Sequence, residues 1–296
     1  MRSAWTRYRI ATGYALVEHL RNRLALALVV FFIPIWITLV YLVITNAPVP
    51  FLLRASDQVI TVDGNHISKI SGAVNAVTLI VGFMMFIATY RSAHFDQRVA
   101  MAGYPRAHVL AAKLSSLLLA AALICAYAVA VICCYWVPDQ PVMLWLSLFG
   151  AALAFGGLGV MLGVALRGEL EGMFLIIMLS LIDMGLQNPV ANPASGNGIV
   201  RFLPSYGAMQ AGVTSGFLPT APGLHLLLGP MWLLGSALVA SATFRLRTRD
   251  RRHTRHTILP RPSARGSVQE DGESAGAGPE EAARRGGGGG SGQTRA

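Results

Sequence analysis

The sequence predicts an all-α integral membrane protein with six transmembrane helices. Of its 296 residues, 54% are hydrophobic and 13% are charged, whereas about a quarter of the residues of a soluble domain are charged. The hydrophobic residues are concentrated in long runs, and roughly 20 of them form a helix that crosses the ~30 Å hydrocarbon layer. The Lys and Arg residues lie mostly between alternate runs, which is typical of a multi-pass membrane protein.

Six apolar runs predict the spans. They are residues 24–44, 70–90, 114–137, 142–166, 172–186 and 224–244. The first run begins too far from the N-terminus, and is too long, to be the apolar region of a signal peptide. The fifth run is the shortest and contains Asp183, the only acidic residue within a predicted span.

The distribution of basic residues predicts the orientation. With six spans, only Arg54, Lys69 and Arg201 of the 24 basic residues lie on one side, so the other side is predicted to be cytoplasmic. Both termini are then cytoplasmic, and the predicted location is a plasma membrane. The scarcity of lysine is typical of a GC-rich bacterial genome. The net charge of +10 indicates contact with anionic lipid and not with nucleic acid.

Three parts are predicted along the chain. Residues 1–23, in which Trp5 and Tyr8 stand among arginines, favour a helix at the inner membrane interface. Residues 24–247 form the six-span domain. Residues 248–296 are basic and Gly-rich, and we expect this cytosolic tail to be disordered because it has too few apolar residues to offset the entropy of ordering.

Two outer segments carry local signals. Residues 59–62 and 66–70 flank Asp63-Gly64-Asn65, which predicts a small β-hairpin with its turn at Asp-Gly. Between the fifth and sixth spans, residues 199–217 are too polar to span and too apolar for a free loop. They predict a re-entrant helical hairpin before the last span, since backbone at that depth must be surrounded by protein or line a cavity.

The inner segment 91–113 predicts a short cytosolic helix. Residues 94–102 form two to three helical turns, Gly103 ends them, and Pro105 is suited to the start of the next helix. Such a helix has no core of its own within the chain, so we expect it to dock on a cytosolic partner; the alternative is a simple connector. In the fourth span, small residues predict close helix packing in lipid. They are Gly150, Gly156, Gly157, Gly159 and Gly163.

The sequence lacks the motifs of ATP hydrolysis and of zinc proteases: it has no G-x-x-x-x-G-K-[ST] phosphate-binding loop and no H-E-x-x-H. A G-x-S-x-G match occurs at residues 272–276, but it lies in the Gly-rich tail, where the strand and helix that a nucleophile elbow needs are not predicted. The chain is therefore not predicted to hydrolyse ATP or to be a hydrolase of those classes. No metal site is predicted, because the three cysteines lack partner ligands at suitable spacing. Asp183 is either a contact for substrate or protons within the membrane, or a hydrated residue near the outer interface beside Gln187-Asn188-Pro189.

Three groups of residues carry a resemblance to a known family. They are Asp96-Gln97-Arg98 with Gly103, Pro105 and Lys113; Arg167-Gly168-Glu169; and Pro204-Ser205-Tyr206-Gly207. In these residues and in its predicted topology from about residue 5 to 247, the chain resembles the membrane subunit of type-2 ABC (ATP-binding cassette) exporters. The Glu-Arg-x-x-Gly sequence that commonly starts the coupling helix of that family does not occur here.

The resemblance implies a transport subunit without its own ATPase activity or cofactor. ATP would be bound by a separate ABC ATPase subunit, and the permease would pair with a second copy of itself or with a sister permease. The cargo would be an amphiphile such as a drug, an antibiotic, a lipid or a glycolipid, exported from the cell.

The predicted residues for coupling to the ATPase are Phe95, Asp96, Arg98, Val99, Met101, Gly103 and Pro105, and Asp183 is the predicted residue of a substrate path. Two other classes remain open on the residues alone. One is a membrane-embedded enzyme that uses Asp183. The other is a channel or anchoring protein with no ATPase partner.

Overall fold

The structure is a computed structural model that describes residues 13, 23–54, 57–101, 106–192 and 198–257 of the 296. The first helix, α1, runs through Arg23–Ala27, a π-helical turn at Leu28–Phe32, and Ile33–Val43. The elements that follow are β1 (Pro48–Leu53), β2 (Gln58–Asp63), α2 (Gly64–Met101), α3 (Arg106–Cys133), α4 (Pro141–Ala165), α5 (Glu169–Gln187), α6 (Tyr206–Phe217) and α7 (Leu228–Thr257). Short 3-10 helices at Gly198–Phe202 and Gly223–Leu227 precede α6 and α7.

The chain divides into two units, Met1–Thr254 and Arg255–Ala296. Of the second unit, the structure describes only residues 255–257, as helix. The predicted disordered tail therefore lies almost wholly outside the described residues, and so does the predicted N-terminal interfacial helix at residues 1–23, apart from residues 13 and 23.

Four described helices are long and apolar enough to cross a membrane. They are Gly64–Ala93, Leu110–Cys133, Pro141–Ala165 and Gly223–Arg245, and they correspond to the second, third, fourth and sixth predicted spans. The apolar part of α1, Leu28–Val43, is shorter, and α5 carries three acidic residues. The protein is therefore a mainly α-helical chain with four candidate membrane-spanning helices.

Helix α2 lies at the centre of the first unit. It packs against α1, α3, α4, α5 and α6, and it is the most deeply buried of the four candidate spans, whereas α7 is the most exposed. Its apolar side chains, with those of α3 and α4, form the main core.

Glycines allow the closest helix contacts. A Cβ atom added at Gly159 of α4 would lie 2.4 Å from the carbonyl oxygen of Gly82 of α2, and one added at Gly163 would lie 3.0 Å from the Phe86 carbonyl oxygen. Helix α4 meets α7 in the same way, because a Cβ atom at Gly229 would lie 2.3 Å from the Gly150 carbonyl oxygen. The prediction that the glycines of the fourth span serve packing is confirmed.

The π-helical turn of α1 lies beside a proline. Pro34 has no N–H, so it cannot donate to the carbonyl oxygen of Val30, four residues earlier. The hydroxyl of Tyr127 on α3 donates to that oxygen at 3.2 Å. This contact fixes α1 against α3 at the point where the regular helical pattern is interrupted.

The β-hairpin uses different residues from those predicted. β1 and β2 pair antiparallel from Pro48↔Asp63 to Leu53↔Gln58, and residues 66–70 belong to α2, so their prediction as a strand was wrong. The reason is that Asp63 caps a helix and does not start a turn. Its Oδ1 accepts hydrogen bonds from the backbone N–H groups of Asn65 (2.8 Å) and His66 (3.2 Å), a typical N-cap arrangement.

The predicted separate cytosolic helix is also corrected. Helix α2 continues without interruption from Gly64 to Met101, and its 38 residues correspond to about 57 Å. Residues 94–101 therefore extend the second span and do not form a helix of their own. Residues 102–105 lie outside the described residues, and α3 begins at Arg106.

Helix α6 is short and enclosed. Its 12 residues correspond to about 18 Å, too little to cross the hydrocarbon layer, and all of them except Phe217 are buried. Gln210 ties α6 to the β-hairpin: its Nε2 donates to the Leu52 carbonyl oxygen (3.2 Å), and its Oε1 accepts from the Arg54 N–H (3.1 Å).

The close contact between Gly82 and Gly159 predicts that a single methyl group added there destabilises the fold. Gly159→Ala places a Cβ atom against the α2 backbone, and we expect it to destabilise the purified protein by about 1–3 kcal/mol, as overpacking does in cores. Gly235→Ala is the matched control, because its added methyl group meets no atom within 4 Å. Thermal unfolding in a mild detergent measures both; an equal midpoint for the two variants contradicts this packing.

The orientation predicts which positions are reached from outside the cell. In a chain whose native cysteines are replaced by alanine, single cysteines are placed at exposed positions of both ends. Gln58, Asp139 and Thr220 lie at the hairpin end, and Arg167 lies at the other. A membrane-impermeant maleimide should label the first three in intact cells and the fourth only after permeabilisation. Labelling of the Arg167 position in intact cells contradicts the predicted orientation.

Candidate functional site

A row of buried polar side chains joins α2 to α5. We call this row the polar seam. Its members are Ser71, Asn75 and Thr78 on α2, Ser180, Asp183, Gln187 and Asn188 at α5, and Ser205 before α6, all of them buried. The spacing of 71, 75 and 78 places those positions on one face of α2, and the spacing of 180, 183 and 187 does the same on α5.

One half of the polar seam links the two helices directly. The hydroxyl groups of Thr78 and Ser180 are 2.8 Å apart, and the Ser180 hydroxyl also donates to Asn75 Oδ1 at 3.3 Å. At the end of α5, Asn188 Nδ2 donates to the Ser71 hydroxyl at 2.9 Å. Each of these groups thus has a hydrogen-bond partner on the facing helix, which stabilises the pair where no water is present.

The other half of the polar seam surrounds the Asp183 carboxylate. Its Oδ1 accepts a hydrogen bond from Gln187 Nε2 at 2.5 Å, and its Oδ2 accepts one from the Ser205 backbone N–H at 3.1 Å. Gln187 Nε2 also donates to the Ser205 hydroxyl at 2.9 Å. Asp183 therefore fixes the chain just before α6 against the end of α5.

Asp183 is buried in the structure, with an exposure of 1%. Its two predicted roles, a contact for substrate or protons and a residue near the outer interface, stay predictions. No Lys, Arg or His among the described residues forms an ion pair with it. The carboxylate is held by dipolar donors alone, an arrangement that ionisable residues inside membranes require when they lack a charged partner.

An acceptor in the polar seam is left without a partner. Gln187 Oε1 is buried and accepts no hydrogen bond from the residues that the structure describes, although its amide nitrogen makes two. A buried oxygen without a hydrogen-bond partner destabilises the fold by about 1–3 kcal/mol. The seam therefore contains an acceptor, next to a carboxylate, to which a donor group of a ligand would bind. Within the described part of the chain, no three His, Cys, Asp or Glu residues lie close enough to hold a metal ion.

A second cluster lies at the opposite end of α2. Arg91 Nη2 is 3.0 Å from Glu169 Oε1 at the start of α5, and the Tyr90 hydroxyl donates to the Arg167 carbonyl oxygen at 2.7 Å. Lys113 Nζ of α3 donates to the Ser92 hydroxyl. The Arg91–Glu169 pair is exposed and contributes little to stability, but these contacts join α2, α3 and the α4–α5 connection at one end.

The structure places the predicted coupling residues away from the polar seam. Arg98 is exposed on α2; Phe95, Asp96, Val99 and Met101 lie on the same helix, with side chains outside the described part. Gly103 and Pro105 lie outside the described residues. About 20 residues of helix, or about 30 Å, separate this segment from the seam residues of α2.

Sequence reasoning identified Asp183 and missed its surroundings. Ser71, Asn75 and Thr78 recur at helical spacing inside an apolar run, and that recurrence was the available signal. The Ser205 contact had no signal in the sequence, because the segment between α5 and α6 that brings it to Asp183 has no regular pattern.

The comparisons with known proteins do not add a family. No protein-family model matches the chain, and no match is found among curated proteins.

The geometry of Asp183 predicts different effects for two substitutions. In Asp183→Asn, the amide keeps one acceptor for the Ser205 N–H, and a rotated Gln187 amide accepts from the new NH2 group. We expect a loss of about 1 kcal/mol. In Asp183→Leu, the Ser205 N–H loses its partner and Gln187 Nε2 keeps only the Ser205 hydroxyl. We expect the unsatisfied Ser205 N–H alone to cost about 1–3 kcal/mol.

Thermal unfolding of the two purified variants measures the difference. Ile182→Leu is the control, because Ile182 is exposed on the same helix and the change keeps the polarity. Equal destabilisation by Asp183→Asn and Asp183→Leu would show that the hydrogen bonds of the carboxylate do not hold the seam.

Proposed function

We propose that this chain is the membrane subunit of a type-2 ABC exporter. Two such permeases, identical or sister chains, would assemble with two copies of a separate ATPase that binds the ATP. In this proposal, ATP closes the ATPase dimer on the cytoplasmic side, the contact segments of the permeases move, and a path between the permeases opens outward. The membrane is a plasma membrane, and the cargo is an amphiphile.

The continuity of α2 is the observation that carries the proposal. The helix begins at the β-hairpin, passes the polar seam and extends past the apolar stretch that ends at Ala93 to Met101. The eight residues beyond Ala93 correspond to about 12 Å of helix. A partner that binds this extension would act directly on the most buried of the four candidate spans, and the movement would reach the seam along one continuous helix.

The second cluster, which lies near the Met101 end of α2, also favours this end as the docking surface. Arg91 is joined to Glu169, and Tyr90 to the Arg167 carbonyl oxygen. The α4–α5 connection is thereby held beside the extension of α2, and both carry exposed charge. A cytosolic partner would contact the two segments together.

Six spans follow in this proposal from adding α1 and α5 to the four long apolar helices. Helix α1, from Arg23 to Val43, is about 31 Å long, and the 19 residues of α5 correspond to about 28 Å, both close to the ~30 Å of the hydrocarbon layer. The 3-10 helix at Gly198–Phe202 and α6 would then form the re-entrant hairpin. Enclosure of α6 by protein meets the condition for such a segment.

The polar seam is the proposed polar part of the substrate path. The free acceptor at Gln187 Oε1 and the Asp183 carboxylate would receive a donor group of an amphiphile, while the apolar helices around them receive its hydrophobic part. No second function is favoured by a specific contact in the structure.

The coupling role predicts the loss of a partner on substitution. Phe95 and Val99 lie one turn apart on the same face of α2, and carboxylates there should abolish docking if the partner buries this face. We expect Phe95→Asp with Val99→Asp to lower recovery of the ATPase at least ten-fold, as loss of a central anchor does. The chain is affinity-purified from its source cells, and the ATPase is identified by mass spectrometry through its phosphate-binding loop.

Gln97→Asp is the matched control, because position 97 lies on the opposite face of the same helix. The amount of inserted permease must be equal in all variants. If an ATPase is recovered with the wild type and equally with the double variant, this face does not couple. If no ABC ATPase is recovered with the wild type, the proposed function fails.

A further inference from the structure

A lysine is buried without an ionic partner near the start of α2. Lys69 has an exposure of 1%, and it forms no ion pair or hydrogen bond with any residue that the structure describes. Its Nζ lies 5.2 Å from the centroid of the Tyr41 ring of α1, within the range of a cation–π contact. Such a contact offsets only part of the cost of removing an ammonium group from water.

The nearest carboxylate is already engaged. Asp63 Oδ1 accepts from the backbone N–H groups of Asn65 and His66, so it caps α2, and Gly64 N–H donates to the Ala47 carbonyl oxygen at 2.8 Å. The start of α2 thus has its exposed N–H groups satisfied by the protein. The polar groups that lack a partner are side chains next to this helix start.

Two further polar atoms beside Lys69 lack partners. The Ser68 hydroxyl and Asn65 Oδ1 are buried and make no hydrogen bond within the described part of the chain, although Asn65 Nδ2 donates to the Tyr41 and Ile44 carbonyl oxygens (3.0 and 2.6 Å). Positions 65, 68 and 69 lie on one face of α2, and the contacts with Tyr41 and Ile44 show that this face meets α1.

These three groups match one kind of ligand. An ammonium and a hydroxyl donor suit a phosphate oxygen, and the free Asn65 Oδ1 suits a hydroxyl group on the same headgroup. We propose that Lys69, Ser68 and Asn65 form a binding site for the phosphate headgroup of an anionic lipid, between α1 and α2.

The depth of Lys69 in a bilayer fits this assignment. The 30 residues of Gly64–Ala93 correspond to about 45 Å of helix, so about 7 Å projects beyond each side of a ~30 Å hydrocarbon layer. Lys69 is five residues from the start and lies at the level of the headgroups. This holds in either orientation of the chain, and the inference does not depend on an ATPase partner.

The surface around the site offers a place for the acyl chains. Tyr41 is 47% exposed, so the ammonium lies one aromatic ring away from the outer surface of α1. Ile35, Leu39 and Leu42 are exposed on the same helix, at a spacing that forms an apolar face. The headgroup enters beside Tyr41, and the chains lie along this face.

Short-chain lipids test the site in the purified full-length protein. Dihexanoyl phosphatidylglycerol, dihexanoyl phosphatidylcholine and inorganic phosphate are titrated in a non-ionic detergent, and the thermal unfolding midpoint is followed. We expect a saturable rise with phosphatidylglycerol alone. An equal rise with phosphatidylcholine overturns the anionic preference, and saturation by inorganic phosphate at the same concentrations overturns a lipid as the ligand.

Variants assign the effect to Lys69. Lys69→Met keeps the length of the side chain without its charge and should weaken phosphatidylglycerol binding roughly ten- to hundred-fold, as the loss of a charged hydrogen bond does. Ser68→Ala, which leaves the lysine in place, should weaken it by a few-fold to about ten-fold. Arg201→Met removes an exposed charge and should leave the affinity unchanged. Unchanged affinity in Ser68→Ala or in a folded Lys69→Met, or an equal loss in Arg201→Met, overturns the site.

Discussion

The backbone contact between α2 and α4 determines where the other elements can lie. At Gly82 and Gly159 the two helices approach so closely that no Cβ atom fits between them. In lipid, where apolar side chains gain little by leaving the solvent, such close packing is a main source of helix association. Because α2 is surrounded on its remaining faces by α1, α3, α5 and α6, its position against α4 sets the geometry of the whole unit.

Each face of α2 uses a different interaction with its neighbour. Glycine meets α4, the hydrogen-bonded groups of Asn75 and Thr78 meet α5, and Asn65 with Lys69 meets α1. These interactions differ in what they tolerate. The glycine contact excludes added volume, whereas the polar contacts exclude the loss of a partner, because an unsatisfied group in an apolar interior costs far more than one in water. A single helix thus combines two kinds of constraint.

The sequence predicted the elements that depend on local composition and missed those that depend on tertiary partners. The four long spans follow from hydrophobic length alone. Asp63 was assigned to a turn because Asp-Gly-Asn favours both turns and helix starts, and only the pairing of β1 with β2 decides between them. The run of α2 to Met101 was missed because charged residues after Tyr90 end the apolar run, so residues 94–102 were predicted as a separate helix. Asp183 was identified by its charge, but Ser205 reaches it from 22 residues away, a separation that no periodicity reports.

The uninterrupted course of α2 limits how the proposed transport cycle can operate. No proline occurs between Gly64 and Met101, so a displacement at Arg98 in this cycle would be carried along one continuous helix toward the face with Lys69. The polar seam lies between these two ends. The glycine contact carries no side chains, so it is compatible with a movement of α2 along α4, as in the shear motions of packed helices. Such a movement must change the hydrogen bonds of Thr78 with Ser180 and of Ser71 with Asn188. In the proposed cycle, the seam would therefore be the place where a movement of the Met101 end of α2 changes the hydrogen bonds of the polar groups in the interior.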